Sequence, residues 1–237
     1  KDLIELGRRG RTEQTYVKMR DGVPLHTRMV FPRNSTDNKY TVVIDRSPYG
    51  YTGLEWIADI LVPFGFVAVG QDMRGTQKSA GHFTIWHEDA NDGQDLGDWI
   101  VQQPWSDGSI YTFGASADGM ASFTIPYNHP EWLKNQYVIW SSANGYEVMF
   151  PNGCYLQSLI ETWMQGTVRE DDYAPCMQEI WANEAKTSWW DPVEMQGKFD
   201  MVKTPSGFWS GWYDFFLVGN LASYYGYNFQ SAPEARL

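Results

Sequence analysis

Short apolar runs along the first 145 residues predict the strands of a sheet. The runs at 14–19 and 25–31 flank Asp21-Gly22, and Asp-Gly between alternating apolar residues is a strong hairpin signal. Residues 1–15 are charged and predict an arm. Further runs predict strands at 40–45, at 66–70, from 110 to the turn at Ser116, and at 137–140.

Helical spacing appears between these strands. Residues 54–63 have helical spacing, and 91–102 do as well, while 120–125 follow the turn at Ser116. The first helix would carry Trp56, Ile57, Ile60 and Leu61 on one side, and the second would turn Leu96, Trp99 and Ile100 inward. Strand and helix therefore alternate, which predicts an α/β fold with a mostly parallel sheet flanked by helices. In such sheets ligands bind beyond the carboxyl ends of the strands.

The pattern changes after residue 146, and three segments follow. We assign 1–146 to the first part of the α/β core, 147–200 to a helical cap insertion, and 201–237 to a return to the core. The cap shows two helical stripes, one of which contains Leu159, Ile160 and Trp163.

The stretch 110–122 carries the strongest chemical signal. An apolar run ends in Gly114-Ala115-Ser116-Ala117-Asp118-Gly119, and a helix follows. A strand that turns sharply into a helix through small residues is typical of a nucleophile elbow, which exposes a serine oxygen. A plain strand-to-helix connection is the alternative.

Composition narrows the class of protein. The 237 residues carry a net charge of −11, which argues against nucleic acid and anionic membrane surfaces as partners. No apolar run is long enough to span a bilayer, and no zinc, phosphate-loop or dinucleotide motif is present in the sequence.

Three features bear on localisation. Cys154 and Cys176 form either one disulfide or two buried free thiols, and Asn34-Ser35-Thr36 fits the glycosylation pattern. The sequence begins at Lys1 without an initiator Met, which indicates processing or trimming. Together they favour a secreted or extracellular glycoprotein, with a cytoplasmic protein as the alternative.

Five segments in order resemble one family of α/β-hydrolases. They are 20–25 (RDGVPL), 46–50 (RSPYG), 72–81 (DMRG to SAG), 92–116 (DGQD to GAS) and 211–214 (GWYD). The family is the group of cocaine esterase, X-Pro dipeptidyl-peptidase (S15) and α-amino-acid ester hydrolase. The resemblance implies the α/β-hydrolase fold and a hydrolase that needs no metal and no cofactor.

The resemblance also assigns roles. Ser116 corresponds to the nucleophile and Asp214 to the triad acid, while Tyr49 and the backbone N–H of Ala117 correspond to the oxyanion donors. Ala117 departs from the tyrosine usual in the family. Asp118 would bind the α-ammonium group of a substrate, as carboxylates do in the amino-ester branch, or would compensate the helix dipole.

The family order is Ser, Asp, His, yet no histidine follows Asp214 in this sequence. We therefore expect a chain cut before the last strands and the C-terminal β-sandwich. A second chain or C-terminal fragment would supply the catalytic histidine, while His82 and His87 could approach the active edge. The sequence is also compatible with a homo-oligomer.

Two functions follow. The first is a serine hydrolase that cleaves or transfers acyl groups of small-molecule esters, or of peptides of amino-acid or dipeptidyl type. The alternative is a catalytically inactive hydrolase-fold subunit with a binding or structural role.

Overall fold

A seven-stranded sheet forms the centre of the computed structural model, which describes residues 9–33, 38–128 and 130–230. The strands are β1 (Arg9–Lys18), β2 (Pro24–Pro32), β3 (Tyr40–Ser47), β4 (Val67–Asp72), β5 (Ser106–Ala115), β6 (Leu133–Ile139) and β7 (Ser206–Trp209). Their order is β1-β2-β4-β3-β5-β6-β7. β1 and β2 pair antiparallel, as does β2 with β4, and the other pairs are parallel.

Seven helices accompany the sheet in this part of the chain. They are α1 (Thr52–Leu61), α2 (Asp89–Val101), α3 (Ala117–Thr124), α4 (Gly145–Met149), α5 (Gln157–Thr167), α6 (Glu170–Ala182) and α7 (Leu217–Gln230). Short 3-10 turns occur at Val62–Phe64, Ile125–Asn128, Pro151–Gly153, Ser188–Val193 and Phe199–Met201. Within the residues described, none of the helices is long and apolar enough to cross a bilayer.

Neighbouring residues of β3 pack against helices on opposite faces of the sheet. Val43 belongs to the apolar cluster that includes Ile57 of α1. Ile44 belongs to the cluster that includes Leu96 and Ile100 of α2. Because successive side chains of a strand point to opposite faces, both faces acquire a core. The predicted α/β class with a mostly parallel sheet and flanking helices is confirmed.

The helices between β6 and β7 pack above the carboxyl edge of the sheet. Met164 of α5 and Ile180 of α6 share one buried cluster with Met120 of α3. Arg169, just before α6, donates to the carbonyl oxygens of Ser79 and Gly81 in the loop after β4. This region therefore lies directly over the end of β5.

Three details of the predicted elements are wrong. β1 begins at Arg9, inside the predicted arm, because a charged, polar strand can occupy a sheet edge. β6 begins at Leu133, where polar residues alternate with buried ones. The side predicted for α1 is only in part the buried one, because α1 buries Leu54, Ile57 and Ala58 and exposes Trp56 and Ile60.

Candidate active site

Ser116 lies between the end of β5 and the start of α3, in a backbone conformation that residues other than glycine rarely adopt. Its φ is 56° and its ψ is −123°. Such a conformation costs about 1–3 kcal/mol and persists where the surroundings enforce it. The Ser116 N–H donates to the Ile139 carbonyl (3.1 Å), and the Ser141 hydroxyl donates to the Ser116 carbonyl (2.7 Å). Neighbouring β6 and its following loop thus hold the turn.

Two glycines allow β5 and α3 to approach at this turn. A Cβ on Gly114 would overlap the backbone carbonyl of Asp118, and one on Gly119 would lie 2.5 Å from Ser141 Cβ. Neither position can accept a side chain unless the backbone moves. The strand-turn-helix geometry expected from the sequence is present, with Ser116 at its apex.

Tyr49 reaches the same point from the loop after β3. Its hydroxyl accepts a hydrogen bond from Trp163 Nε1 of α5 at 2.6 Å, and it lies close enough to the Ser116 side chain to interact with it. Burial raises the pKa of Tyr49, so the hydroxyl keeps its proton. Ala117 is the first residue of α3, where backbone N–H groups lack a partner within the helix. Two donors therefore stand beside Ser116.

An apolar cavity of about 140 Å³ opens at Ser116. Its walls come from the loop between β4 and α2, from α3, α4 and α5, and from the loop after β7. They comprise Trp86, Ser116, Ala117, Met120, Val148, Met149, Leu159, Ile160, Trp163, Phe215 and Phe216. Sequence analysis placed Trp163 on a helical stripe but did not identify its bond to Tyr49, because helical periodicity carries no information about a partner 114 residues away.

Asp214 lies in the loop after β7, partly buried. Its carboxylate accepts hydrogen bonds from the Ser210 hydroxyl and the Phe216 N–H, each at 3.0 Å. β7 is separated from β5 by β6 alone, so Asp214 follows a strand two places from the strand that carries Ser116. Phe216 joins the two loops, since it also lines the cavity at Ser116.

Asp118 is turned away from this cavity. Its side chain is buried and interacts with Ser47 and with Asp45 of β3, and it does not line the cavity. The role of Asp118 as a ligand of a substrate ammonium stays a prediction, and this burial does not favour it. Sequence analysis missed Asp45, because the residue ends an apolar strand and resembles an ordinary strand terminus.

The histidines of the described residues are engaged elsewhere. His26 contacts Asp72 and Tyr51, His82 pairs with Asp172 of α6 at 2.6 Å, and the His87 ring packs on Trp189. Across residues 9–33, 38–128 and 130–230, none of them is hydrogen-bonded to Ser116 or Asp214. His129 lies outside the described residues.

Two other predictions have different outcomes. Cys154 is exposed and Cys176 is buried, and both are free thiols, so the predicted disulfide is wrong. The reason is that α6 turns Cys176 toward the Phe83 carbonyl in the interior. The predicted glycosylation residue, Asn34, lies outside the described residues.

A buried network of charges supports the loops of the carboxyl edge. Arg74 donates two hydrogen bonds to Asp92 of α2 (2.6 and 3.0 Å) and one to Asp21 (2.7 Å). Arg46 of β3 pairs with Asp89 of α2. Asp72, two residues before Arg74, contacts His26 instead of the arginine.

Comparison with known proteins agrees with this geometry. A family model described as X-Pro dipeptidyl-peptidase (S15 family) matches residues 21–175, more than half of the chain. Cocaine esterase from Rhodococcus sp. is 32% identical over 160 residues, which cover 62% of this chain and 27% of the esterase. This chain spans 27% to 32% of the length of the curated relatives that it matches.

Two solved structures show the fold. An α-amino acid ester hydrolase superposes with a TM-score of 0.77 at 20% identity, over 91% of this chain and 45% of that one. An aminopeptidase from a marine sediment archaeon of the Thaumarchaeota gives 0.78 at 18% identity, over 96% of this chain and 47% of that one. The predicted α/β-hydrolase fold is confirmed. With the family match over residues 21–175, the chain belongs to the X-Pro dipeptidyl-peptidase (S15) family of hydrolases, which the resemblance in its sequence predicts.

Proposed function

We propose that the protein is a serine hydrolase that cleaves esters or amides of apolar acyl groups. The observation that carries the proposal is Ser116 itself. Its strained turn places its oxygen beside the Tyr49 hydroxyl and at the mouth of an apolar cavity. A serine that had only a structural role would not require a conformation that costs about 1–3 kcal/mol.

The reaction proceeds by acyl transfer. Ser116 Oγ attacks the substrate carbonyl and gives its proton to a base, while the carbonyl oxygen becomes an oxyanion. The Tyr49 hydroxyl and the Ala117 N–H donate to that oxyanion, and the N-terminus of α3 adds favourable potential. The base then protonates the leaving group, and water attacks the acyl-enzyme and releases the acid.

The base is a histidine oriented by Asp214. Asp214 retains acceptor capacity beyond its bonds to Ser210 and Phe216, and its loop borders the cavity through Phe216. Because the described histidines are engaged elsewhere, we propose that a second chain or a further segment supplies this histidine.

An uncovered surface supports such a partner. Beside α1, the exposed rings of Tyr111, Tyr137 and Trp209 lie on the sheet, and a groove of about 230 Å³ separates Trp56 from Tyr137. In α/β proteins both faces of a parallel sheet are normally covered. A polypeptide packed here would extend the sheet region next to Asp214, since Trp209 ends β7.

The cavity supports a substrate class. Its lining is apolar except for Ser116 and the indole N–H groups, so it suits an aliphatic or aromatic acyl group. Relatives named cocaine esterase, α-amino acid ester hydrolase and aminopeptidase are consistent with either an ester or an amide.

The test is active-site labelling of the natural protein, purified from its source so that any accompanying chain or segment is retained. A fluorophosphonate probe is expected to modify Ser116, and Ser116→Ala is expected to abolish both labelling and hydrolysis of a p-nitrophenyl ester of a short apolar acid. Ser158→Ala, an exposed serine of α5, is the matched control. Mass spectrometry of the intact material identifies a second polypeptide. A folded protein whose Ser116 stays unmodified would establish the inactive subunit instead.

A further inference from the structure

Two buried carboxyl groups lie directly beneath the nucleophile turn. Asp45, near the end of β3, is 1% exposed, and Asp118, the second residue of α3, is 6% exposed. The first turn of α1 covers both. A Cβ on Gly53 would overlap Asp45 Oδ2 and would lie 3.4 Å from Asp118 Oδ2. The absence of a side chain at Gly53 is therefore what allows the two carboxyl groups to fit under the helix.

These carboxyl groups are short of hydrogen-bond donors. Among the described residues, both oxygens of Asp45 and Oδ1 of Asp118 are buried without a hydrogen-bond partner. The Ser47 side chain lies close enough to the Asp118 carboxyl group to lower its pKa, against the larger effect of burial. Two ionised carboxylates in this position would each lack solvation and would repel each other.

We propose that Asp45 and Asp118 share one proton and, as a carboxylic acid–carboxylate pair, act as positioning residues that hold the Tyr49 loop against the Ser116 turn. A single proton turns one orphaned acceptor into an O–H donor aimed at the other carboxylate. The pair then carries one negative charge, which the N-termini of α1 and α3 both favour. This proposal deepens the proposed hydrolase function and rests on it for its effect on Ser116.

Ser47 links the pair to the oxyanion loop. The Ser47 hydroxyl oxygen accepts a hydrogen bond from the Tyr49 backbone N–H at 3.1 Å. Ser47 also lies close enough to Asp118 to lower the pKa of its carboxyl group. In the proposed arrangement the carboxylate attracts the Ser47 O–H, which leaves a lone pair of the same oxygen for the Tyr49 N–H. Because the Tyr49 side chain lies next to Ser116, the buried acid pair is connected through Ser47 to the loop that borders the reacting oxygen.

The protonation behaviour agrees with the geometry. Burial raises the pKa of Asp45 to about 7. Burial and then the charge of Asp45 raise the pKa of Asp118 well above its ordinary range. The charge of Asp118 adds to burial in raising the pKa of Tyr49, which keeps that hydroxyl in its donating form.

Other charged groups on this face of the sheet have their own partners. In the strand register Arg28 of β2, Gly70 of β4 and Asp45 lie in one row, but Leu54 of α1 packs over Gly70. Arg28 pairs with Glu55 of α1. Asp72 of β4, opposite Ser47, contacts His26.

Loss of the shared proton determines how the pH affects the reaction. At a pH above the one at which this proton dissociates, Asp45 and Asp118 are both negatively charged and repel each other. The Tyr49 loop then loosens, and the reaction at Ser116 slows. The folded-state pKa is raised above that of the unfolded chain. At a pH between these two pKa values, the folded state therefore binds more protons than the unfolded state. The pair's contribution to stability is therefore lost as the pH rises from about 4 through about 7.

Infrared difference spectroscopy of the natural protein tests the proton directly. Wild type minus Asp45→Asn at pH 6 is expected to show the carbonyl band of a protonated carboxylic acid, shifted in D₂O. Asp118→Asn serves as the second variant, and Asp59→Asn, at an exposed position of α1, is the control whose difference spectrum is expected to lack that band. If neither variant removes a protonated-acid band, the pair is fully ionised and the proposal is overturned.

Fluorophosphonate labelling tests the positioning role. In wild type and in the Asp59→Asn control alike, the labelling rate is expected to fall at least threefold between pH 7 and pH 9. In Asp45→Asn, where an amide donor replaces the shared proton, this fall is expected to disappear. An alkaline fall that persists in Asp45→Asn would overturn the positioning role. If no variant is labelled at any pH the hydrolase function fails, while the infrared result still decides the shared proton.

Discussion

The nucleophile turn and the acid loop are built in different ways. Ser116 lies at the centre of the sheet, between β3 and β6, and every residue of α3 is buried. Its turn is held from outside, by Ile139, by Ser141 and by Trp86, whose indole donates to the Ala117 carbonyl at 3.1 Å. These contacts come from segments 23 to 31 residues away in the chain.

The acid loop follows the four-residue strand at the end of the described sheet. In the described chain, the side-chain and backbone hydrogen bonds of Asp214 join it to Ser210, Gly211, Phe216 and Leu217, all within four residues. Trp212 is 85% exposed, and Tyr213 is fully exposed. The nucleophile is therefore preorganised by tertiary packing, whereas the acid is held by a local loop. Substitutions in the turn should cost stability, and those in the loop should cost activity alone.

The largest expected effect comes from the acid. Asp214→Asn should lower kcat about 10⁴-fold, because an amide neither orients the histidine correctly nor stabilises its cation. The midpoint of denaturant unfolding should hardly move, since the amide oxygen still accepts from Phe216. Steady-state kinetics and urea unfolding measure the two quantities. Asp200→Asn, an exposed carboxylate before β7, is the control, and a large loss of stability in Asp214→Asn would contradict the comparison.

Loss of the Tyr49 hydroxyl should have the next largest effect. Tyr49→Phe is expected to lower kcat about 10²–10³-fold with little change in KM, because the donor acts on the oxyanion rather than on the bound ester. Tyr16→Phe, an exposed ring on the edge strand β1, is the matched control. A fall in kcat of less than tenfold would mean that Tyr49 is not an oxyanion donor.

The nucleophile turn could be predicted from the local sequence pattern, whereas the acid loop could not. Gly114, Ser116 and Gly119 form a local signal because a sharp turn demands small residues at fixed offsets, so the turn was predictable. Asp214 needed the family resemblance, since a carboxylate in a loop has no distinctive periodicity. The Asp45–Asp118 pair and the Trp163–Tyr49 bond join residues 73 and 114 positions apart, which spacing along the chain cannot indicate.

The third largest effect is a loss of stability when a side chain is added at the nucleophile turn. Gly114→Ala should lower the free energy of unfolding by about 1–3 kcal/mol, because the new methyl group overlaps the Asp118 carbonyl and α3 must shift. A Cβ on Gly166 in α5 has no neighbouring atom within 4 Å, so Gly166→Ala should instead raise the free energy of unfolding by up to about 1 kcal/mol. Urea unfolding of both variants measures the difference. Equal effects would show that β5 and α3 are not held rigidly.

The smallest effect is expected at the tip of the acid loop. Tyr213→Ala removes a ring that is surrounded by solvent in the described chain, so the free energy of unfolding should change by less than about 0.5 kcal/mol. Because the Asp214 N–H bonds to the Gly211 carbonyl through the backbone, the substitution leaves that bond in place. Urea unfolding of these 237 residues alone measures the change. A loss above about 1 kcal/mol would mean that the ring packs on the chain, and the acid loop would then depend on tertiary contacts as the nucleophile turn does.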